Sequence, residues 1–278
     1  FRGVAYNFRN PLVHKWNMAI QQELNNSTAL EVSYIGNHSA RQLLNWDPNG
    51  AINSADLTIP VNNLRPVPNL GGLSESATFG YGNYHGLATK LEKRYSSGLD
   101  YLISYNYGNA LANTGTTLSG SSGNGAKNRR DLSTGYASAA WDLRHNLTAS
   151  FVYDVPFGKG RKFGSGMSSV ANAIAGGWQI NGLLSLRSGQ HFTLGTSQGL
   201  CQCANVQPDV VPGRDPNNAP AAGRTPDLWF DVDAVTRPAP GTTGTLGLQS
   251  NTAPPQKNMD FSLFKDFRFT ESKRLQFR

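Results

Sequence analysis

Histidines are the first residues of this sequence to test for a site that binds a metal or performs catalysis. No two of the five lie at metal-ligand spacing on one strand face, and none belongs to an H-E-x-x-H motif. They are His14, His38, His85, His145 and His191. No G-x-S-x-G nucleophile elbow occurs either. We therefore expect no enzymatic activity, no metal site and no cofactor.

The two cysteines, Cys201 and Cys203, form a C-x-C pair. In an oxidising compartment they can close a disulfide, although so small a ring would be strained. A structural metal site usually takes four ligands, and no second cysteine pair completes one. A disulfide and two free thiols both stay open, and metal binding is disfavoured.

Residues 158–162 (GKGRK) combine glycines with three cations, a composition that suits phosphate. The stretch lacks the G-x-x-x-x-G-K-[ST] frame, so we interpret it as an exposed turn. Elsewhere the cations, which give a net charge of +7, mostly alternate with apolar residues and form no dense basic stripe. We therefore expect no nucleic-acid partner.

The composition is poor in apolar and in charged residues, which make up 38% and 15% of the 278 residues. Ordinary domains have about 45–50% apolar residues, glycine included, and about 25% charged residues. No apolar run reaches the ~18 residues of a transmembrane helix. The composition fits a single-layer sheet with lipid on one side and water on the other, because such a sheet needs only every second residue apolar.

Alternation of apolar and polar residues, broken by turn signals, predicts eight strands. The clearest one places Leu99, Tyr101, Ile103 and Tyr105 on a single face. The predicted strands are residues 13–24, 28–37, 83–95, 99–108, 137–155, 178–194, 258–269 and 273–278. One or two helical turns are predicted at residues 168–175.

The predicted connections alternate in length. Short or medium ones at 25–27, 96–98, 156–176 and 270–272 alternate with long loops at 38–82, 109–135 and 199–257. Outer-membrane barrels have short periplasmic turns and long outer loops. The pattern predicts an all-β fold, an antiparallel up-and-down transmembrane β-barrel. We expect a fragment of about eight strands that forms an open curved sheet in isolation.

Aromatic residues fall near both ends of the predicted strands. With the long loops outward, ten of them form two girdles on the lipid-facing surface, as outer-membrane barrels do. The outer girdle is predicted to contain Trp16, Tyr34, Tyr105, Tyr107 and Trp141, and the inner girdle Tyr95, Tyr153, Trp178, Phe267 and Phe269.

The opposite parity of each strand is mainly polar and is predicted to face a water-filled lumen. Its charged members are Lys15, Glu23, Glu31, Lys90, Glu92, Arg94, Asp100, Asp142, Arg144, Arg187, Asp260, Asp266 and Arg268. Lys265 has lipid-facing parity, which predicts a bulge or a side chain that reaches the interface. Four apolar residues have lumen parity and predict a plug or packed interior over them; they are Leu102, Val152, Leu183 and Phe264.

Most of the chain outside the loops resembles the C-terminal barrel region of TonB-dependent outer-membrane receptors. The resemblance is greatest to the acidobacterial type that carries an N-terminal carboxypeptidase-regulatory-like domain. The segments that carry it are NPLVHKWNMAIQQEL (10–24), ALEVSYIGNHS (29–39), NYHGLATKLEKRYSSGLDYLISYNYGNAL (83–111), DLRHNLTASFVYDVPFGKGRKF (142–163), GGWQINGLLSLRSGQHFTL (176–194) and NMDFSLFKDFRFTESKRLQFR (258–278).

This resemblance implies energised uptake of a nutrient of the siderophore, glycan or peptide class across the outer membrane of a Gram-negative bacterium. It implies outer-membrane lipid, lipopolysaccharide, a plug domain and the TonB complex as partners, and it transfers no substrate-binding residue. Two alternatives remain open: a structural or adhesive barrel that transports nothing, and a soluble β-sandwich binding module.

Overall fold

The computed structural model describes residues 2–114, 127–128, 130–196, 205–268 and 274–278. Eight strands form one antiparallel meander in which each strand pairs with the next along the chain. They are β1 (Leu12–Asn25), β2 (Thr28–Trp46), β3 (Ser74–Ser96), β4 (Leu99–Ala112), β5 (His145–Asp154), β6 (Trp178–Arg187), β7 (Gln256–Arg268) and β8 (Arg274–Phe277). Within the described residues β1 and β8 do not pair with each other, so the sheet is open, and the predicted fold class is confirmed.

The short and medium connections lie at one end of the sheet, and the long connections lie at the other. One end, the turn end, holds residues 26–27, 97–98 and 155–177, and β7 ends and β8 begins there. The opposite loop end holds residues 47–73 and the described parts of the connections from β4 to β5 and from β6 to β7 (113–114, 127–128, 130–144, 188–196 and 205–255). Between β3 and β4, Ser97 and Gly98 both have positive φ, 55° and 81°. Two such residues form the tight turn that matches the twist of a hairpin.

Several strands differ from their predicted bounds. β2 continues to Trp46 and β3 begins at Ser74, so both ends of the predicted loop at 38–82 are strand, and only residues 47–73 connect the two strands. Asn, Gly and Ser in these extensions hide the alternation from a sequence pattern. β4 continues to Ala112, and residues 256–257 belong to β7, so the loops predicted at 109–135 and 199–257 are shorter.

Two predicted strands are broken in the structure. Residues 137–155 form the short strand Ala137–Ser138, a turn, and then β5, since the chain turns before it rejoins β4. Residues 178–194 divide into β6 and His191–Phe192, which pairs with Asn251–Thr252 in a separate two-stranded sheet.

Short strands and short helices lie at the two ends of the sheet. At the loop end Arg2–Val4 pairs in parallel with the start of β3, and Asp209–Val210 pairs with Val235–Thr236. At the turn end a single helix, α1 (Ser169–Ala175), begins after Ser168, whose hydroxyl accepts a hydrogen bond from the Ala171 amide at 3.2 Å. The loop end also contains the 3₁₀ turns Val61–Leu64, Pro68–Leu70, Leu132–Gly135 and Val232–Ala234.

The buried apolar side chains lie at the loop end, in the loops and in the strand ends next to them, and not in the middle of the sheet. They include Leu44, Ala51, Leu64, Ala77, Ala112, Ala139, Ala234, Leu246 and Leu248. The central strand residues Leu91, Ile103 and Leu147 are not buried. A second sheet packed on this face, as in a β-sandwich, would bury them, so the sheet is a single layer.

The long loops are joined to one another by hydrogen bonds. Lys127 Nζ donates to the carbonyl oxygens of Gly244 and Leu246 at 2.9 and 2.7 Å, and the Asn53 amide donates to the Lys127 carbonyl at 3.3 Å. Burial lowers the pKa of the Lys127 ammonium, and Asp209 opposes this shift. The loops therefore form one packed layer above the sheet.

No helix among the described residues is long and apolar enough to span a membrane.

The single-layer sheet predicts that a lysine is tolerated on one side only. Leu184 and Ser185 are neighbours in the middle of β6 and point to opposite faces. We expect Leu184→Lys to destabilise the protein folded in phospholipid vesicles by roughly 2–4 kcal/mol, because the ammonium enters hydrocarbon. Ser185→Lys, the matched control, should change the free energy of unfolding little. Urea titration of both variants measures the difference, and equal losses would contradict the assignment of faces.

Candidate functional site

The cross-strand register divides the eight strands into two chemically different faces. Residues that pair directly across neighbouring strands point to the same side of a sheet. One central row consists of Gln22, Leu30, Leu91, Ile103, Ala149, Leu184 and Met259. The next row towards the turn end contains Tyr101, Phe151, Gly182 and Phe261. We call this side the apolar face.

Seven of the ten predicted girdle aromatics have the register of the apolar face. They are Trp16, Tyr34, Tyr105, Tyr107, Tyr153, Trp178 and Phe267. Their side chains are half-buried or exposed. Phe269 lies outside the described residues, as do Cys201 and Cys203.

Tyr95 and Trp141 do not take the predicted girdle positions. Lys93 and Ser96 both pair with residues of the apolar face. Because they are three positions apart, and not two or four, the register shifts between them, and this shift moves Tyr95 off the apolar face. The Tyr95 hydroxyl donates to Asp154 at 2.5 Å. Trp141 lies in a turn before β5 and not in a strand.

Several polar side chains of the apolar face form hydrogen bonds near its two edges. Towards the loop end, His85 Nδ1 hydrogen-bonds the Tyr34 hydroxyl at 2.7 Å, and His145 Nδ1 hydrogen-bonds the Tyr105 hydroxyl at 2.8 Å. Aromatic residues with a polar tip suit the level of lipid headgroups. Towards the turn end, Lys93 Nζ donates to Ser27 Oγ at 3.2 Å.

Lys265 also lies on the apolar face, opposite Trp178, and no bulge interrupts the pairing of β6 with β7 there. The side chain reaches the turn end instead. Its ammonium donates to the carbonyl oxygens of Ile174 and Gly176 and lies 5.0 Å from the centre of the Trp178 ring.

We call the other side of the sheet the polar face. The cross-strand register places ten of the thirteen charged residues predicted for the lumen on this face. They are Lys15, Glu23, Glu31, Lys90, Glu92, Arg94, Asp100, Arg187, Asp260 and Asp266. Asp142 and Arg144 lie outside the strands, a correction that follows from the turn before β5. The side chain of Arg268 is outside the described part of the chain.

A cavity of about 540 Å³ opens on the polar face next to the loop end. Its floor is made of the small residues Gly82, Ala110 and Ala112, which occupy paired positions of β3 and β4. Tyr84 borders the floor, because its ring lies over Gly108 of the next row. A Cβ atom added at Gly108 would come within 2.8 Å of the Tyr84 hydroxyl oxygen. Glycine at this position therefore allows Tyr84 to lie flat on the sheet and keeps the cavity open.

Trp141 forms another wall of this cavity, and Asp142 positions it. Asp142 is buried, and its Oδ1 accepts the Ala110 amide at 2.9 Å. Its Oδ2 lies 3.3 Å from His191 Nε2 and 3.5 Å from an Arg144 guanidinium nitrogen. The carboxylate thus ties the turn that carries Trp141 to β4.

Among the described residues, the lining of the cavity has amides, hydroxyls and aromatic rings but no charged side chain. The remaining polar side chains on the polar face are Asn37, Ser39, Gln42 and Thr114, whereas Asn83 lines the cavity from a position whose register belongs to the apolar face. Amides both donate and accept hydrogen bonds, and aromatic rings offer flat apolar surfaces. This set of groups suits an uncharged ligand with many hydroxyl groups. No three histidine, cysteine or carboxylate residues within the described ranges are placed to hold a metal ion.

A single-layer antiparallel sheet with one apolar face, one polar face and long loops at one end is the wall of an outer-membrane β-barrel. The comparisons with known proteins agree. Residues 1–278 match the family described as outer membrane beta barrel domain, and the chain belongs to that family. It is a protein of the cell outer membrane.

No curated protein matches this sequence. A solved structure that is similar to the chain is the outer membrane transporter YddB from Escherichia coli, with a TM-score of 0.48 and 9% sequence identity. The similarity covers 96% of this chain, which spans 27% of that transporter.

Removal of the Asp142 carboxylate should release the turn that carries Trp141. We expect trypsin to cleave after Arg144 roughly tenfold faster in Asp142→Ala, because the buried Ala110 amide and the Arg144 guanidinium lose their partner. Asp142→Asn keeps an acceptor for Ala110 and should be cleaved more slowly than Asp142→Ala. The measurement is a time course of proteolysis on the membrane-embedded protein. Identical rates for the wild type and Asp142→Ala would exclude this role for Asp142.

Proposed function

We propose that this chain forms part of the wall of a TonB-dependent receptor, which takes up an uncharged, hydroxyl-rich ligand such as a glycan. The observation that carries this proposal is the uncharged cavity on the polar face, at the end where the long loops lie. The order of long and short connections supports an orientation with that end outward.

The open sheet supports a place within a larger barrel. Lipid offers no hydrogen-bond partner to backbone amides and carbonyls, so a sheet that spans the membrane must close on itself. Within the described residues, one edge of β1 and one edge of β8 face no strand. Pairing with further strands removes both edges, and the family to which the resemblance points has barrels of about 22 strands with a plugged lumen.

The apolar residues of the polar face support a plug as a partner. Leu102 and Leu183 both pair with Ser150 and are 38% and 49% exposed, so they present apolar surface to the lumen. A plug domain that covers them removes this surface from water. The proposal thus includes the plug, the TonB complex and the surrounding lipid and lipopolysaccharide as partners.

The chemistry of the cavity supports the ligand class. A charged ligand would lose hydration without gaining an ion pair, because no charged side chain of the described residues lines the cavity. Sugars instead offer hydroxyl groups to Asn37, Ser39 and Gln42, and the CH-rich side of their rings to Tyr84 and Trp141.

Ligand binding by the intact receptor tests the cavity. We expect Trp141→Ala to weaken binding of a neutral oligosaccharide roughly tenfold, because a ring that would cover the ligand is lost, and Ala110→Trp to abolish binding by filling the floor. Trp16→Ala, which removes a tryptophan from the apolar face, is the matched control. Calorimetry over a panel of neutral and charged oligosaccharides and peptides identifies the ligand. Tight binding of a charged ligand by the wild type that Ala110→Trp abolishes would overturn the ligand class, and unchanged binding by Ala110→Trp would overturn the site.

Energy coupling tests the receptor assignment separately. Uptake of a radiolabelled ligand by cells should fall to background when TonB is absent or when a protonophore dissipates the proton gradient, whereas binding at the cell surface should persist. Binding without energised uptake would instead support the structural or adhesive alternative.

A further inference from the structure

The connection between β5 and β6, residues 155–177, combines exposed apolar side chains with an unbalanced positive charge. It contains Lys159, Arg161 and Lys162 and no aspartate or glutamate. All three cations are exposed. Arg161 lies 3.5 Å from Asp154, which ends β5 with the register of the polar face, so Arg161 is paired on the lumen side. Lys159 and Lys162 have no carboxylate on their own connection to pair with.

Helix α1 of this connection presents an apolar stripe outward. Val170 and Ile174 are 74% and 71% exposed and lie one helical turn apart, so they share a side of the helix. Asn172 lies on the opposite side, where its Oδ1 accepts the Lys159 amide at 2.6 Å. The helix thus turns its polar side towards its own connection and its apolar side outward.

Contacts with two side chains of the apolar face place α1 on the lipid side of the sheet. The carbonyl oxygen of Ile174 accepts the Trp178 indole N–H at 3.0 Å and the Lys265 ammonium at 3.3 Å, and Gly176 also accepts from Lys265. Trp178 and Lys265 oppose each other on that face. The apolar stripe of α1 is therefore continuous with the surface that contacts lipid.

We propose that residues 155–177 are a lipid-docking element in which α1 lies in the membrane interface and Lys159 and Lys162 bind the headgroups of anionic phospholipids in the periplasmic leaflet. Short amphipathic segments with cations beside an apolar stripe bind anionic interfaces in this way. Exposed Phe157 and Phe163 extend the apolar surface beside the cations. The proposal depends on the outer-membrane location and on the orientation proposed above, and it is independent of uptake.

Lipid quenching at α1 tests the proposal. The full-length protein, with Cys201→Ser and Cys203→Ser, carries a bimane probe on Val170→Cys and is reconstituted in vesicles of phosphatidylcholine or of equimolar phosphatidylcholine and phosphatidylglycerol. Brominated lipids should quench this probe, and brominated phosphatidylglycerol should quench it more than brominated phosphatidylcholine. A probe on Met18→Cys, in the middle of β1, reports contact of the strands with lipid in the same vesicles.

Removal of the two lysines should abolish the preference for phosphatidylglycerol at position 170. We expect the affinity of this site for phosphatidylglycerol relative to phosphatidylcholine to fall roughly fivefold for each lysine removed in Lys159→Gln/Lys162→Gln. The control variant Arg9→Gln/Arg237→Gln removes two exposed cations from the loop end and should keep the preference. Absence of quenching at position 170 with quenching at position 18, or a preference that survives in Lys159→Gln/Lys162→Gln, overturns the proposal.

Discussion

The structure depends on one constraint, namely that backbone amides and carbonyls in hydrocarbon must bond to other backbone groups. A meander of antiparallel strands meets this constraint between neighbours, and the resulting register decides which side chains share a face. Leu91, Ile103 and Leu184 reach the apolar face because they pair across successive strands, and Lys90 and Asp260 reach the polar face for the same reason. Stability within the membrane therefore comes from the hydrogen-bond ladder, not from a core, and the packed apolar side chains lie in the loop layer.

Much of this arrangement could be predicted from the sequence, because alternation with a period of two is a local signal. It identified the eight strands and the class of fold, and it placed Lys265 on the lipid side, where the structure has it. Errors occurred where the signal ends. A single register shift moves Tyr95 off the apolar face, and a turn that the Asp142 carboxylate joins to β4 takes Trp141 out of the strand. The cavity was not predicted. Alternation places Tyr84 on the polar face, but the floor of the cavity depends on the pairing of Gly82 with Ala112, which the sequence pattern does not show.

The two ends of the sheet have different chemistry, and this difference follows from the length of their connections. At the loop end, connections of tens of residues are long enough to bury leucines and alanines and to hold an uncharged cavity. At the turn end, tight turns leave almost no surface, and the one longer connection carries the exposed cations and α1. Trp141 and Trp178 illustrate the contrast: the first borders a cavity on the polar face, and the second anchors a helix on the apolar face.

The connection between β6 and β7 has a consequence for how the sheet is assembled. β1 and β2 are joined by two residues, whereas residues 188–255 separate β6 from β7. The entropy lost on closing the longer segment exceeds that of the short turn by about 3 kcal/mol, since the cost grows with the logarithm of chain length. The pairing of His191–Phe192 with Asn251–Thr252 just beyond the ends of β6 and β7 shortens the span that the strands must close. Contacts in the part of the protein outside the bilayer therefore lower the entropic cost of pairing β7 with β6 inside it.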